Sequence, residues 1–299
     1  MFRPLVALLF AGCMAPAAAD VRLLASVKPL QLIAAAVQDG AGSPEVLLPP
    51  GASPHHYALR PSDVRALREA TLFYWIGPDL EAFLPRVLDG RQGPSLAVQE
   101  LPGLQLRHFA GETEAGKDEH DHAHRPGSLD AHLWLLPANA RLIAARMASD
   151  LAGADPASAA RYQANLAAFE ARLDELDRRL KARLEKLAGK PYFVFHEAYD
   201  YFEAAYGLDH AGVFSVSPDV QPGARQVARM RQRLQEAGPT CVFSEPPLQP
   251  RLAQTLSAGL PVRLAELDPL GSGVPVGPQG YEQLLEHLGE GLAGCLEAL

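Results

Sequence analysis

Between residues 156 and 187 apolar side chains recur at Tyr162, Leu166, Phe169, Leu173, Leu176, Leu180, Leu184 and Leu187. Steps of three and four place them on one stripe of an α-helix. Asp174–Arg178, Glu175–Arg179 and Asp177–Lys181 stand at i,i+4 with the acid first, the favourable order for ion pairs along a solvated helix face. At the rise of an α-helix such a segment runs roughly 45 Å, longer than most globular helices. A coiled-coil segment is one reading, but the stripe is too short for a sustained zipper. Strand-rich segments with similar patterns lie on both sides. The pattern therefore predicts a rigid strut joining two α/β lobes, with any functional site in the cleft between them.

Upstream, residues 20–28 read as a strand, 30–38 as a helix and 45–48 as a strand running into Pro49-Pro50-Gly51. Residues 51–63 form a loop, and Ser62 or Asp63 is placed to cap a helix reaching about Ala70. The apolar run 71–76 predicts a buried strand stopped by Gly77-Pro78, followed by a helix at 80–88 and a strand at 95–98. Residues 108–128 are polar and aperiodic and read as a mobile loop. A helix over 135–152 has Pro137 near its first turn. Downstream the plan repeats, with strands at 192–195, 213–216, 241–243 and 262–267 and helices at 199–206, 223–237, 250–259 and 281–299. Alternating strands and helices predict parallel sheets covered on both faces. The expected class is α/β, with two Rossmann-like parallel-sheet lobes. Residues 1–19 form an export signal, 20–154 the first lobe with a His-rich loop at 111–125, 155–188 the connecting helix and 189–299 the second lobe.

Composition narrows the function. A formal net charge of −8, with no basic stripe, argues against nucleic acid as a partner. At the start, Arg3 precedes a short apolar core at 4–14 and the small residues Ala17-Ala18-Ala19, a pattern that predicts cleavage after Ala19 and export to the periplasm. Ala11-Gly12-Cys13 carries the rival reading of a lipoprotein acylated at Cys13. No later stretch is apolar for the length a membrane span needs. Cys241 and Cys295 remain after cleavage, and an even pair in an exported chain suggests a disulfide, the alternative being two unpaired thiols.

Three histidines stand where an α/β fold places ligands, just after strands or at loop–helix junctions: His55, His132 and His196. Three neutral imidazoles from separate segments suit zinc, although their spacing matches no finger or HExxH signature. His56 is an alternative to His55, Glu197 a candidate acceptor to orient an imidazole, and Asp268 the best carboxylate for a fourth position. His120, His122 and His124, among Asp118, Glu119 and Asp121, form an auxiliary tract that binds metal weakly.

The stretches SVKP, VLLPPGASPHHYALRPSD, GPDLEAF, AHLWL, YFVFHEAYDYFEAAYGL, QPGA, TCVFSEP and LDPLG run from Ser26 to Gly271. Together they resemble the periplasmic zinc-binding subunits of bacterial high-affinity zinc ABC importers, within the wider metal-binding family of solute-binding proteins. The resemblance implies two α/β lobes joined by one long helix. It places ligands at His55, His132 and His196, a disulfide at Cys241–Cys295 and an acidic His-rich loop at 111–125. Some close relatives carry glutamate just before the loop histidine; Pro54 stands there in this chain, which leaves water, Asp268 or His56 for the fourth position. Manganese-type relatives carry a carboxylate where His196 stands, and imidazole-rich sets suit zinc. The implied function is a monomeric periplasmic receptor that carries Zn²⁺ to a membrane permease powered by a cytosolic ATPase and catalyses nothing. The rivals are a manganese receptor or adhesin of the same fold, and a secreted zinc hydrolase using Glu197 or Asp268 as general base.

Overall fold

The computed structural model describes residues 21–109, 127–214, 223–246 and 250–299. The expected export signal, Cys13 and the His-rich loop with His120, His122 and His124 lie outside these residues. In the first lobe the chain runs β1 (Leu23–Ala25), α1 (Lys28–Val37), β2 (Glu45–Val46), α2 (Pro61–Glu69), β3 (Leu72–Trp75), α3 (Pro85–Leu88) and β4 (Ser95–Ala97). A 3₁₀ turn at Leu133–Leu135 leads into α4 (Pro137–Ala154), and α5 (Ala159–Leu184) follows, with a 3₁₀ turn at each end. The second lobe holds β5 (Tyr192–Val194), α6 (Asp200–Tyr206), β6 (Gly212–Val213), α7 (Ala224–Ala237), β7 (Thr240–Ser244), α8 (Pro250–Ser257), β8 (Val262–Glu266) and α9 (Gly280–Leu296). Both sheets are parallel throughout, ordered β2-β1-β3-β4 and β6-β5-β7-β8. The lobes thus share one topology.

Proline moved several boundaries. Pro29 sits in the first turn of α1, where a missing N–H costs nothing, so the helix takes Lys28 and shortens the expected strand. Pro85 starts a helix rather than continuing one, and the helix expected at 80–88 shrinks to the single turn of α3. Pro61 likewise opens α2. Asp63 then acts from inside that helix, its Oδ2 accepting the Arg60 N–H at 2.7 Å, rather than as the cap itself.

The expected stripe on α5 buries Tyr162, Phe169, Leu173, Leu176, Leu180 and Leu184. Its charges do not form the expected i,i+4 pairs. Arg141 of α4 takes Asp174 and Asp177, at 2.6 and 2.8 Å; Arg179 reaches Glu286 of α9 at 2.7 Å; and Glu175 pairs with Arg178 one step closer. The reason is packing. The helix is flanked by α1, α4, α6 and α9, so its borders face partner helices rather than water. At Gly289 of α9 a Cβ would fall 2.5 Å from Leu180, and glycine lets the two helices approach this closely.

Side chains alternate across the second sheet. Tyr192, Val194, Cys241 and Phe243 face a large core that continues through α5, α9 and the first lobe. Phe193, Phe195 and Val242 face a smaller one closed by Met230, Leu234, Ala253 and Leu256. The disulfide Cys241–Cys295 ties α9 to the large-core face of β7. The lobes are joined by more than α5. Trp134 Nε1 donates to the Pro269 carbonyl at 2.9 Å, and Tyr281 Oη donates to the Trp134 carbonyl at 2.6 Å.

A 2-1-3-4 strand order opens a crevice beyond the carboxyl ends of its first and third strands, the usual ligand position in such sheets. In the first lobe the protein fills this crevice itself. The buried Glu81 carboxylate accepts from Ser26 Oγ after β1 and from the Gly77 N–H after β3, the latter at 3.0 Å. Burial pushes the Glu81 carboxyl up to about 7, against the hydrogen bonds it accepts. A native value above the unfolded one means a stability contribution present in acid and lost as pH rises through about 7. Relative to Glu81→Gln, the wild-type protein should therefore lose about 2.5 kcal/mol of unfolding free energy between pH 5 and pH 8. Parallel denaturation profiles for the two proteins across that range would contradict this.

Candidate metal centre

The corresponding crevice of the second lobe carries His196. It lies two residues past β5, and its Nδ1 is 3.1 Å from Oε2 of Glu245, which directly follows β7. Glu245 is buried. Beside it lies Tyr199, whose hydroxyl is pushed well above its ordinary range by burial first and by the Glu245 charge second.

His132 comes from the other side of the cleft. It precedes the 3₁₀ turn Leu133–Leu135 and is 2% exposed. Asp130 Oδ1 accepts its backbone N–H at 2.9 Å and lies 2.7 Å from its Nδ1. That contact puts the ring proton on Nδ1 and leaves Nε2 as the ligating nitrogen. Tyr201 of α6 donates to the Asp130 carbonyl at 2.9 Å, so the second lobe helps to hold a residue of the first.

His55 stands in the loop between β2 and α2. Bonds from the Leu47 N–H to Ala25 and from the Leu48 N–H to Ser26, at 2.8 and 3.0 Å, tie the loop's start to the end of β1. Tyr57 donates to Asp63 Oδ2 at 3.0 Å and ties its end to α2.

These segments, far apart in sequence, meet. Ring centroids are 5.5 Å apart for His55–His132, 5.4 Å for His55–His196 and 4.7 Å for His132–His196. One ligand nitrogen from each lies within 4.8 Å of the others. Tetrahedral zinc with imidazole bonds near 2 Å needs nitrogens about 3.4 Å apart, so small side-chain adjustments complete the set. Asp130 and Glu245 place two buried carboxylates behind the imidazoles, which fixes the ring tautomers and offsets a dication's charge.

The other sequence candidates fall differently. His56 is exposed, its ring centroid 6.4 Å from that of His55. Asp268 accepts the Leu270 and Ser272 N–H groups at 3.1 and 2.6 Å, which closes the turn after β8, and it lies outside the three-histidine group. The Nδ1 of His196 meets Glu245, and the Glu197 charge acts on the imidazole of His210. Glu245 and Asp130 were missed as partners, although Glu245 stands in TCVFSEP and Asp130 directly precedes AHLWL. Nothing local shows which carboxylate reaches an imidazole 49 residues away.

A family model described as zinc-uptake complex component A, periplasmic (ZnuA), matches residues 23–295. The chain belongs to the ZnuA family. A ZnuA relative from Yersinia pestis, a high-affinity zinc uptake system protein, is 40% identical over 293 residues, covering 93% of this chain and 92% of the relative. One of the same name from Brucella abortus (strain 2308) is 36% identical over 307 residues, covering 92% and 91%. A ZnuA crystal structure has the same fold, with a TM-score of 0.76 at 23% identity, covering 92% of this chain and all but 1% of that one (99%). ZnuA proteins are solute-binding components of zinc uptake. Among the described residues of this ZnuA-family chain, no helix is long and apolar enough to cross a membrane.

Proposed function

We propose that this protein is a periplasmic receptor that captures Zn²⁺ between its lobes through His55, His132 and His196. It then passes the ion to an ABC-type permease driven by a cytosolic ATPase, acting as a monomer and without catalysis. The observation that carries this reading is the meeting of three imidazoles from three separate segments within 4.8 Å. The names of the Yersinia and Brucella relatives support zinc uptake as the setting. An all-imidazole set favours zinc over manganese. The carboxylates nearest the site, Asp130 and Glu245, engage ring nitrogens and so orient ligands rather than activate water. Both oxygens of Asp268 serve its own turn, so water takes the fourth position. Because the large core runs through both lobes, release works by small tilts and movement of the His55 loop rather than wide hinge opening.

The test is competition titration of Zn²⁺ and Mn²⁺ against a chelator. One tight zinc equivalent is expected, with manganese bound far more weakly. Asp268→Asn and deletion of 111–125 should each leave the tight site within threefold. Tight manganese binding, or loss of the zinc site on loop deletion, would overturn the assignment.

A further inference from the structure

A second group of ligating side chains lies behind the first. Asp200, Glu203 and His210 bring one ligand atom each within 4.8 Å of one another, and none belongs to the three-histidine set. Local chain geometry creates it. Asp200 and Glu203 are i,i+3 neighbours on one face of α6. Gly207 ends that helix in the left-handed region, φ 72°, and turns the chain back, with the Leu208 N–H bonded to the Glu203 carbonyl at 3.0 Å. The Ala211 N–H then joins the Tyr192 carbonyl at 2.7 Å, which holds His210 against Glu203.

The arrangement has the features of a cation site. His210 Nδ1 lies 3.0 and 2.9 Å from the two Glu203 oxygens. Tyr192 Oη donates to Glu203 Oε1 and fixes that carboxylate from the far side. Asp200 is partly buried, and its Oδ1 is covered without a hydrogen-bond partner within the protein, a position that a bound cation or water satisfies. The surrounding charge is mostly negative: Asp130 acts on Asp200 and Glu197 on His210, with Arg107 the opposing cation. A buried His210–Glu203 ion pair explains the two short contacts but leaves Asp200 Oδ1 unsatisfied.

We propose that Asp200, Glu203 and His210 form a second, weaker site for a divalent transition-metal cation, Zn²⁺ in this setting. One imidazole with two carboxylates is a mixed N/O set that accepts zinc and also tolerates manganese. The site goes beyond the receptor function and does not depend on it. Asp130 orients His132 through its carboxylate, and its charge also acts on Asp200.

The test uses the full chain with 111–125 deleted, so that the histidine tract cannot contribute. Isothermal titration with Zn²⁺ should give one tight equivalent and then a second, weaker one. Asp200→Asn and His210→Gln should each weaken the second equivalent at least about tenfold, as loss of a ligand costs no less than loss of an outer partner, while the first equivalent stays. Asp200 is only partly buried, so its variant should fold even if His210→Gln does not. The absence of a second equivalent, or its persistence unchanged in Asp200→Asn, would overturn the site. Failure of the first equivalent would instead count against the three-histidine site.

Discussion

Replacing His132 with alanine is expected to weaken zinc binding by at least a hundredfold. The free energy of a tight four-coordinate zinc site, on the order of 10–16 kcal/mol, is shared among few ligands, so each contributes roughly 3 kcal/mol or more. His132 is the most buried of the three, at 2% exposure, and the cavity left by alanine faces Trp134 and the large core, with no substitute donor in the three-histidine group. His55→Ala and His196→Ala should follow, with His55 the mildest because it sits on a loop beside His56. The carboxylates behind the rings should give a graded result. Asp130→Asn and Glu245→Gln keep the packing but lose the charge that fixes the Nδ1 proton, an effect of about 10- to 100-fold. Competition titration reads the whole series. Alanine variants within threefold of wild type would mean that the three imidazoles are not the ligands.

Removing the disulfide should have the largest effect on stability. Cys241 and Cys295 are separated by 54 residues, and closing a loop of that size in the unfolded chain corresponds to about 4 kcal/mol. The bond holds α9, which packs against α1 and α5 and so helps to join the lobes. A double Cys241→Ser, Cys295→Ser variant should therefore melt about 10 °C below the oxidised protein, and reduction of the wild type should bring it to the same temperature. A shift under about 2 °C would show that packing alone retains the helix. The Ser variants keep near-native side-chain volume but bury two hydroxyls, so the reduced wild type is the comparison that isolates the cross-link.

Local periodicity and turn chemistry are legible along the chain. The stripe from Tyr162 to Leu187 settled the long helical element because a 3.6-residue repeat is a property of neighbouring residues. The alternation of strands and helices settled two parallel sheets, and the motif histidines His55, His132 and His196 were identifiable one by one. Boundaries set by Pro29, Pro61 and Pro85 were readable in principle, since a ring without an N–H opens helices, but strand-like and helix-like runs around them masked the signal. Tertiary structure decided the rest. It sent Arg141 to Asp174 and Asp177, and Arg179 to Glu286, because flanking helices offered partners that the helix's own surface did not. It placed Glu81 in one switch-point crevice and His196 in the other, in sheets of the same order. It brought Glu245 to the His196 ring across 49 residues, and engaged Asp268 in its own turn. It also folded Asp200, Glu203 and His210 into one group through a glycine turn whose partners no motif announced. Each of these outcomes depends on which segments meet across the fold, and a pairing of that kind has no period along the chain to betray it.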